Sequence, residues 1–166
     1  MAERLSILLQ SAASERRAVR LLFVCTGNIC RSPLAHAVFD HAAEKRSLGR
    51  FFQTESTGLS GYHVGENADE RMRSCAKRHG VRLDHPARLL SDSDLDTYDL
   101  VLAMDAGHLS RLRSMAGTEA VRDKVMLYRD FDPDSRPGTD VPDPYYGSSA
   151  DFEAVYRIVD RCTGQV

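Results

Sequence analysis

A chain of 166 residues has the usual size of one domain and is long enough to bury a substantial core. Its apolar fraction of 42%, charged fraction of 28% and net charge of −2 are ordinary for a globular protein and indicate no general attraction to nucleic acid or membranes. Its four cysteines do not form the pattern of a small secreted disulfide protein, and no apolar run approaches the ~20 residues that span a bilayer. The cytoplasm is therefore the expected location.

Residues 1–18 precede the first predicted strand. Leu5, Leu8 and Leu9 have the spacing of a short amphipathic helix, and a frayed extension fits them equally well. We therefore expect an N-terminal extension over residues 1–18, either helical or disordered, followed by a single domain over residues 19–166.

The most informative stretch is residues 21–39, LLFVCTGNICRSPLAHAVF. Its apolar start predicts a buried strand that ends at Cys25, and the apolar spacing after Pro33 predicts a helix. The loop between them lies at a helix N-terminus, where unpaired N–H groups and the helix dipole favour an anion. Gly27 and Asn28 tolerate positive φ, so the loop can curl and direct several N–H groups at one centre. The stretch therefore predicts a phosphate-binding loop.

Three side chains in this loop suit phosphoryl transfer. The positive field of the loop lowers the pKa of a thiol, so Cys25 is the candidate nucleophile. Arg31 carries a planar fork that can hold two phosphoryl oxygens at once, which a lysine cannot do. Ser32 can donate its hydroxyl to the thiolate. This pattern predicts an enzyme that forms a cysteinyl-phosphate.

The stretch resembles the signature of the low-molecular-weight protein tyrosine phosphatases, V-C-x-G-N-I-C-R-S-P. Further segments match that family in chain order: Ser56-Thr57-Gly58, His63-Val64-Gly65, His79-Gly80, His85 with Ala87-Arg88, Ala103-Met104-Asp105, Asp143-Pro144-Tyr145-Tyr146-Gly147 and Asp151-Phe152-Glu153. The resemblance covers about residues 20–162, and it implies hydrolysis of phosphotyrosine without a cofactor or a metal ion.

The rest of the chain alternates strands and helices. Strands are predicted over residues 51–54, 98–104 and 124–128, and helices after Asn67 with Glu70 at the capping-box position, over residues 107–115, and after Ser148 or Ser149. This alternation predicts a single α/β domain: a four-stranded parallel sheet with helices on both faces and the phosphate-binding loop after the first strand. Ligands of such sheets bind beyond the carboxyl ends of the strands.

The long segment 129–147 contains five aspartates and four prolines without periodicity, and a loop of this length in a compact domain is usually functional. Asp143 stands between Pro142 and Pro144, which restrict the backbone and can aim the carboxyl group. Expelling a phenolate requires a proton donor. The match to the family selects Asp143 for this role among the loop acids.

The resemblance assigns the remaining site residues. Phosphate is bound by the loop residues Thr26, Gly27, Asn28, Ile29, Cys30 and Ser32; Ser56 and His85, with Asn28 and Ser32, hold the loop in shape; Asp105 orients Arg31; and Tyr62, Tyr145 and Tyr146 form the rim around a phosphotyrosine ring. Cys30 is expected to protect Cys25 from over-oxidation by forming a disulfide with it. The family commonly has tryptophan at the position of Tyr62 and glutamate at the position of His36.

The six histidines are not expected to bind a metal ion. His36 and His41 are five residues apart and so do not share a helical face, and no Cys/His ligand spacing occurs.

Three other functions compete with phosphotyrosine hydrolysis. A protein-arginine phosphatase has the same scaffold, but those relatives typically carry threonine at the position of Ile29. A thioredoxin-coupled arsenate reductase needs a further cysteine pair, and Cys75 has no such partner. A non-catalytic phosphotyrosine-binding module would not need the acid Asp143. The expected partner is a phosphotyrosine-containing protein, not nucleic acid or a membrane, and the chain is expected to be a monomer or a weak dimer.

Overall fold

The computed structural model describes residues 2–165, which form a four-stranded parallel sheet between helices. The strands are β1 (Val19–Cys25), β2 (Phe52–Gly58), β3 (Leu100–Ala103) and β4 (Val125–Leu127), in the order β2-β1-β3-β4. The helices are α1 (Ala2–Ser14), α2 (Arg31–Lys45), α3 (Glu70–Arg78), α4 (Asp94–Thr97), α5 (Ala106–Met115), α6 (Glu119–Asp123) and α7 (Ser149–Thr163), with 3-10 turns at Gly49–Phe51 and Tyr128–Phe131. The predicted fold class is confirmed.

Strand β1 is apolar on both faces because both faces are covered. Leu21 and Phe23 join a buried cluster with side chains of α2 and α7, whereas Leu22 and Val24 join a second cluster with side chains of α4 and α5. The connection from β1 leads to β2 on one side, whereas the connection from β3 leads to β4 on the other, so the direction of the connections reverses between β1 and β3. In such sheets this is the point at which ligands bind, and Cys25 stands there.

The helix predicted to begin after Asn67 is α3, and its N-terminal cap lies two residues beyond the expected one. Its N-cap is Asp69, whose carboxylate accepts a hydrogen bond from the backbone N–H of Arg71 at 2.9 Å. Asn67 instead lies opposite Pro86 in an antiparallel bridge. The prediction of Asn67 as the cap is therefore wrong, because a pairing distant in sequence holds it in the extended chain.

The predicted strands differ from the observed ones in length. Strand β2 is longer than residues 51–54, because its polar second half hydrogen-bonds to β1 through the backbone and needs no apolar side chains. Phe51 belongs to a 3-10 turn. Strands β3 and β4 are shorter than residues 98–104 and 124–128.

The N-terminal extension contains helix α1. Ala12 is buried in the core, and the guanidinium of Arg17 binds both carboxylate oxygens of Asp99 at 2.6 and 2.9 Å. Of the residues that predicted this helix, Leu5 and Leu9 have side chains outside the described residues. The domain boundary at residues 18 and 19 stays a prediction. Over residues 2–165, no helix combines the length and apolar character that crossing a membrane requires.

The segment 129–147 is anchored to α7 by an ion pair. The carboxylate of Asp132 is 3% exposed and accepts hydrogen bonds from Nε and Nη2 of Arg161, both at 2.8 Å. The Arg161 guanidinium lowers the pKa of Asp132 below its ordinary value, although burial opposes the shift. The start of the loop that carries Asp143 is therefore fixed to the core.

We expect Asp132→Asn to lower the free energy of unfolding by about 2 kcal/mol at pH 7, because hydrogen bonds to charged groups contribute about 1.5–3 kcal/mol. The pKa of Asp132 is lower in the folded protein than in the unfolded chain, where it is about 4. The stabilisation by this carboxylate is therefore complete above a pH of about 4 and is lost as the pH falls through the folded-state pKa. The difference between wild type and variant should therefore shrink in acid. Urea unfolding at several pH values measures it.

The matched control is Asp134→Asn, since Asp134 also faces Arg161, at 3.4 Å, but its side chain is 71% exposed. The control should change the free energy of unfolding by less than about 0.5 kcal/mol. An Asp132→Asn variant as stable as wild type at pH 7 would contradict the anchoring role.

Candidate active site

The loop between β1 and α2 has the geometry of an anion-binding loop. Cys25 ends β1, α2 begins at Arg31, and Asn28 between them has a φ of 56°, in the left-handed region. Gly27 does not adopt positive φ, contrary to expectation. It is needed instead for close packing, because a Cβ there would lie 3.0 Å from the ring of His63.

Cys25 lies at the floor of this loop and is 3% exposed. Its Sγ is 3.0 Å from the hydroxyl oxygen of Ser32, in the first turn of α2. The sulfur therefore has both a hydroxyl partner and the N-terminal end of a 15-residue helix beside it. Both features stabilise a thiolate.

Arg31 is held by groups from two other loops. Its Nη1 donates to the carboxylate of Asp105 at 2.8 Å and to the carbonyl of Val141 at 3.1 Å, and its Nη2 donates to Asp143 at 3.3 Å. The predicted pair of Arg31 with Asp105 is present. Burial raises the pKa of Asp105, but the backbone N–H and charge of His108, together with Arg31, outweigh it and lower the pKa below its ordinary value. Asp105 is therefore an anion that orients the guanidinium.

The four residues expected to hold the loop do form a connected network. The amide nitrogen of Asn28 donates to the hydroxyls of Ser32 and Ser56 at 2.9 and 3.0 Å. Its amide oxygen accepts from the backbone N–H of Arg88 at 3.0 Å and lies 3.3 Å from Nε2 of His85. Asn28, Ser32 and Ser56 are fully buried, so these hydrogen bonds are protected from water and fix the left-handed turn at Asn28.

Among the loop acids, Asp143 is the one whose carboxylate reaches Arg31. Asp130 accepts from the backbone N–H of Gly138 and Asp140 from that of Ala106, both at 2.8 Å. Asp143 also accepts from the backbone N–H of Tyr145 at 3.1 Å, and its side chain remains 52% exposed. It therefore faces the mouth of the loop and is accessible to a bound molecule.

These groups surround an open cavity of about 280 Å³. It is lined by Cys25, Thr26, Gly27, Ile29, Cys30, Arg31, Ser60, Tyr62, His63, Asp143, Tyr145 and Tyr146. The structure thus brings the predicted nucleophile, arginine and acid to one cavity, with the three predicted tyrosines at its rim. Tyr62 and Tyr146 are 90% and 97% exposed, so both rings are free to contact a ligand.

Comparisons with known proteins agree with this geometry. The family described as low molecular weight phosphotyrosine protein phosphatase matches residues 20–166. A low molecular weight protein-tyrosine-phosphatase of Streptomyces coelicolor is 48% identical over 145 residues, which are 87% of this chain and 88% of the relative.

The chain belongs to the low molecular weight phosphotyrosine protein phosphatase family. It is therefore a phosphatase. Among solved structures, the protein tyrosine phosphatase of Entamoeba histolytica is similar at a TM-score of 0.85 and 34% identity, covering 89% of this chain and 94% of that one. The YwlE arginine phosphatase, solved as a mutant with a phosphorylated active-site serine, has a TM-score of 0.78 at 28% identity, with 89% and 92% covered.

Beside the site of the phosphatase lies a buried histidine that sequence reasoning missed. His108 is 6% exposed, and its Nε2 lies 2.8 Å from the hydroxyl of Thr26 in the phosphate-binding loop. Its backbone N–H donates to Asp105 at 2.8 Å, and burial lowers the pKa of its imidazole. His108 therefore connects the loop to the carboxylate that orients Arg31. The sequence did contain one indication of this contact: His108 stands three residues after Asp105, the N-cap of α5, where its backbone N–H can reach the carboxylate.

Among the described residues, two groups of side chains outside this cavity of the phosphatase have the composition of metal sites: His36, Glu55 and His85, and Cys75, His79 and Glu153. In each group, one donor atom per residue lies within 4.8 Å of the others. Spacing along the chain does not reveal these groups, because each of them combines side chains from different elements of the fold.

Proposed function

We propose that this phosphatase hydrolyses phosphotyrosine in proteins, and other aryl phosphates, through a cysteinyl-phosphate on Cys25. The observation that carries the proposal is the convergence of Cys25, Arg31 and Asp143 on one cavity with aromatic walls. Arg31 and the N–H groups of the loop hold the phosphoryl oxygens, so no metal ion is needed to neutralise them. Thr26, Gly27, Asn28, Ile29, Cys30 and Ser32 supply that loop.

In the first step the thiolate of Cys25 attacks phosphorus, so that an S–P bond forms as the bond to the tyrosine oxygen breaks. Asp143 gives its proton to the departing phenolate, which is typically worth about 10²–10⁴-fold in rate. Arg31 changes partner as the phosphoryl group enters, because its Nη2 contact to Asp143 of 3.3 Å is replaced by oxygens of the transferring group. Asp105 keeps the other side of the guanidinium in place through the 2.8 Å contact.

In the second step water attacks the cysteinyl-phosphate. Asp143, now deprotonated, takes a proton from that water, and the S–P bond breaks to return the thiolate. The hydroxyl of Ser32, 3.0 Å from Sγ, stabilises the leaving thiolate as a hydrogen-bond donor. Ser56 and His85 act indirectly, since both contact Asn28 and so maintain the shape of the loop.

Tyr62, Tyr145 and Tyr146 favour an aryl substrate, because their rings stand at the mouth of the cavity whose floor is Cys25. A phosphotyrosine reaches such a floor through its ring, whereas a phosphoserine is too short to bring its phosphate to Sγ. The structure of the YwlE arginine phosphatase is similar to this chain, so phosphoarginine is the second candidate substrate. Ile29 lines the cavity. Arginine phosphatases on this scaffold typically carry threonine at this position, so Ile29 favours phosphotyrosine over phosphoarginine.

We expect peptides with phosphotyrosine to be hydrolysed at least about 10²-fold faster, in kcat/KM, than matched peptides with phosphoarginine or phosphoserine, a difference of about 2.7 kcal/mol in transition-state binding. Phosphate release from the three peptides measures the ratio. Faster release from the phosphoarginine peptide would show that the enzyme is an arginine phosphatase instead. The Ile29→Thr variant, assayed on the same peptides, tests whether Ile29 sets the preference for phosphotyrosine.

Arsenate reduction and non-catalytic binding fit the site less well. Cys75 is fully buried on α3 and is hydrogen-bonded to Glu153, which does not suit a thiol that must exchange disulfides. A binding module has no use for Asp143 at the cavity mouth. The cytoplasmic location and the monomeric or weakly dimeric state stay predictions of the sequence.

Redox control through Cys30 is part of the proposed function. Peroxide would convert the thiolate of Cys25 to a sulfenic acid, and the thiol of Cys30 would displace water from it to form a disulfide. Burial raises the pKa of Cys30 well above its ordinary value, so capture depends on the closeness of the two residues in one loop more than on thiolate content.

After limiting peroxide and then dithiothreitol, wild type should recover most of its activity, and a Cys30→Ser variant should recover only a small part. Peptide mapping of the oxidised wild type should find a disulfide between Cys25 and Cys30. Equal recovery of the two proteins would reduce Cys30 to a packing residue.

A further inference from the structure

Three potential ligands from three parts of the chain meet beside the phosphate-binding loop. His36 lies on α2, Glu55 on β2, and His85 in the segment that follows α3. One oxygen of Glu55, Oε1, is 3.9 Å from Nδ1 of His36 and 3.7 Å from Nε2 of His85. The two imidazole rings stand edge to face, with centroids 5.4 Å apart.

We propose that His36, Glu55 and His85 form a binding site for zinc or a divalent metal ion with similar ligand preferences. Two imidazoles and one carboxylate are a common set of protein ligands for zinc, whereas magnesium and calcium prefer oxygen ligands. Tetrahedral bonds of about 2.0–2.1 Å place donor atoms roughly 3.3 Å apart. The donor atoms lie within 4.8 Å of one another, so side-chain rotations that move them by up to about 1.5 Å bring them to that spacing, and a water molecule completes the tetrahedron.

A second observation supports a metal ligand at His36. Its other nitrogen, Nε2, is 3.2 Å from a carboxylate oxygen of Asp40, and Asp40 also accepts a hydrogen bond from the hydroxyl of Thr54. Histidines that bind metal ions usually donate their second ring N–H to a carboxylate or carbonyl group, which orients the ring and increases its basicity. A hydrogen bond from Nε2 to Asp40 leaves Nδ1, the atom 3.9 Å from Glu55 Oε1, as the nitrogen available to a metal ion.

Access and local charge suit a cation. His36 and His85 line an open cavity of about 310 Å³, whose rim also carries Asp40, Glu44 and Asp84. Arg82, on the same rim, pairs with Asp84 at 2.8 Å and neutralises that carboxylate. A further opposing charge is Arg88, whose Nε is 3.9 Å from the other oxygen of Glu55. The guanidinium of Arg88 is held by Asp94 at 2.9 and 3.3 Å, which partly neutralises it. The group of Cys75, His79 and Glu153 differs in this respect. Arg78 and Arg157 contact Glu153 at 3.5 and 3.6 Å, so their positive charges disfavour a cation there.

Two ligands of the site also contact the network that holds the catalytic loop. Oε1 of Glu55 accepts a hydrogen bond from the backbone N–H of Ser56 at 2.8 Å, and His85 makes the second contact. Nε2 of His85, the atom that faces Glu55, is also 3.3 Å from the amide oxygen of Asn28. Nε2 donates its proton to this amide oxygen, so a metal ion binds Nε2 only when that proton is released to solvent. The hydrogen bond from His85 to Asn28 is then lost, and the left-handed turn at Asn28 loses one of its supports. Metal binding should therefore lower turnover without competing with phosphate. This inhibitory part rests on the proposed function, whereas metal binding itself does not.

Binding is tested first on a metal-free Cys25→Ser background, because the thiolate of Cys25 is itself a zinc ligand. Calorimetric titration with zinc chloride should find one ion per chain. Adding His36→Ala should weaken binding at least about 10-fold, and Asp40→Asn should weaken it by about 10-fold, as losses of outer-sphere carboxylates do. Adding His41→Ala is the matched control: His41 is on the same helix and lines the same cavity, and its loss should leave the affinity unchanged.

The proposal is overturned if the Cys25→Ser protein binds no zinc, or if His36→Ala binds it as tightly as the His41→Ala control. The link to activity is tested on proteins that retain Cys25. Zinc should inhibit the His41→Ala enzyme more strongly than the His36→Ala enzyme, and added phosphate should not relieve that difference. Equal inhibition of the two enzymes, relieved by phosphate, would assign the inhibition to Cys25 and overturn the link.

Discussion

Replacing Cys25 by serine should remove turnover and leave phosphate binding intact. The loop N–H groups and Arg31 do not depend on the sulfur, and Arg31 is held by Asp105 and the carbonyl of Val141. A serine hydroxyl is a far weaker acid than a cysteine thiol and a far poorer nucleophile than a thiolate, so the variant lacks an effective nucleophile. We expect kcat for an aryl phosphate to fall by about 10⁴-fold or more, as for other nucleophile deletions.

The dissociation constant for inorganic phosphate, measured by calorimetry, should change by less than about threefold, or roughly 0.7 kcal/mol. Cys162→Ser is the matched control, because Cys162 is a free, buried cysteine on α7 outside the cavity. It should retain turnover at a temperature where it stays folded. Appreciable turnover by Cys25→Ser would contradict the assignment of the nucleophile.

The second large effect concerns Asp143. Asp143→Ala should slow hydrolysis of phosphotyrosine by about 10²–10⁴-fold, because the phenolate then leaves without a proton. Aryl phosphates with strongly acidic phenols need no proton, so their first step should be much less affected. The basic limb of the pH–rate profile, which reports the protonated acid, should weaken in the variant.

The matched control for Asp143 is Asp134→Ala, which removes another exposed carboxylate from the same loop. Kinetics on a series of aryl phosphates separate the two variants. In Asp143→Ala the rate should depend more steeply on the acidity of the leaving phenol, and in Asp134→Ala it should follow wild type. Equal losses on good and poor leaving groups would show that Asp143 is not the donor.

The part of the site that is built from consecutive residues was predictable from the sequence. The run from Cys25 to Ser32 combines the strand end, the loop and the helix start, so its chemistry follows from local geometry. The order of the sheet strands was not specified, but their parallel arrangement followed from the alternation of strands and helices. The Arg31–Asp105 pair was expected from the resemblance to the family, and the two side chains do meet at 2.8 Å.

Features built from distant residues were not predictable in the same way. His108 is important only because α5 brings it to Thr26, and nothing in its local sequence specifies that neighbour. The grouping of His36 with His85 depends on how α2 packs beside the segment after α3. Asn67 failed as a helix cap because it pairs with Pro86, nineteen positions further along the chain. In each case tertiary contacts override or supplement local propensity.

The central claim, a phosphoryl group carried on Cys25, is tested most directly by trapping that intermediate. Asp143→Ala with an aryl phosphate of an acidic phenol should form the cysteinyl-phosphate quickly and hydrolyse it slowly, because the second step lacks its base. After a rapid quench in denaturant, mass spectrometry should find close to one phosphoryl group per chain, on the peptide that contains Cys25. No covalent phosphoenzyme during turnover, or a phosphoryl group on any other residue, would contradict the account.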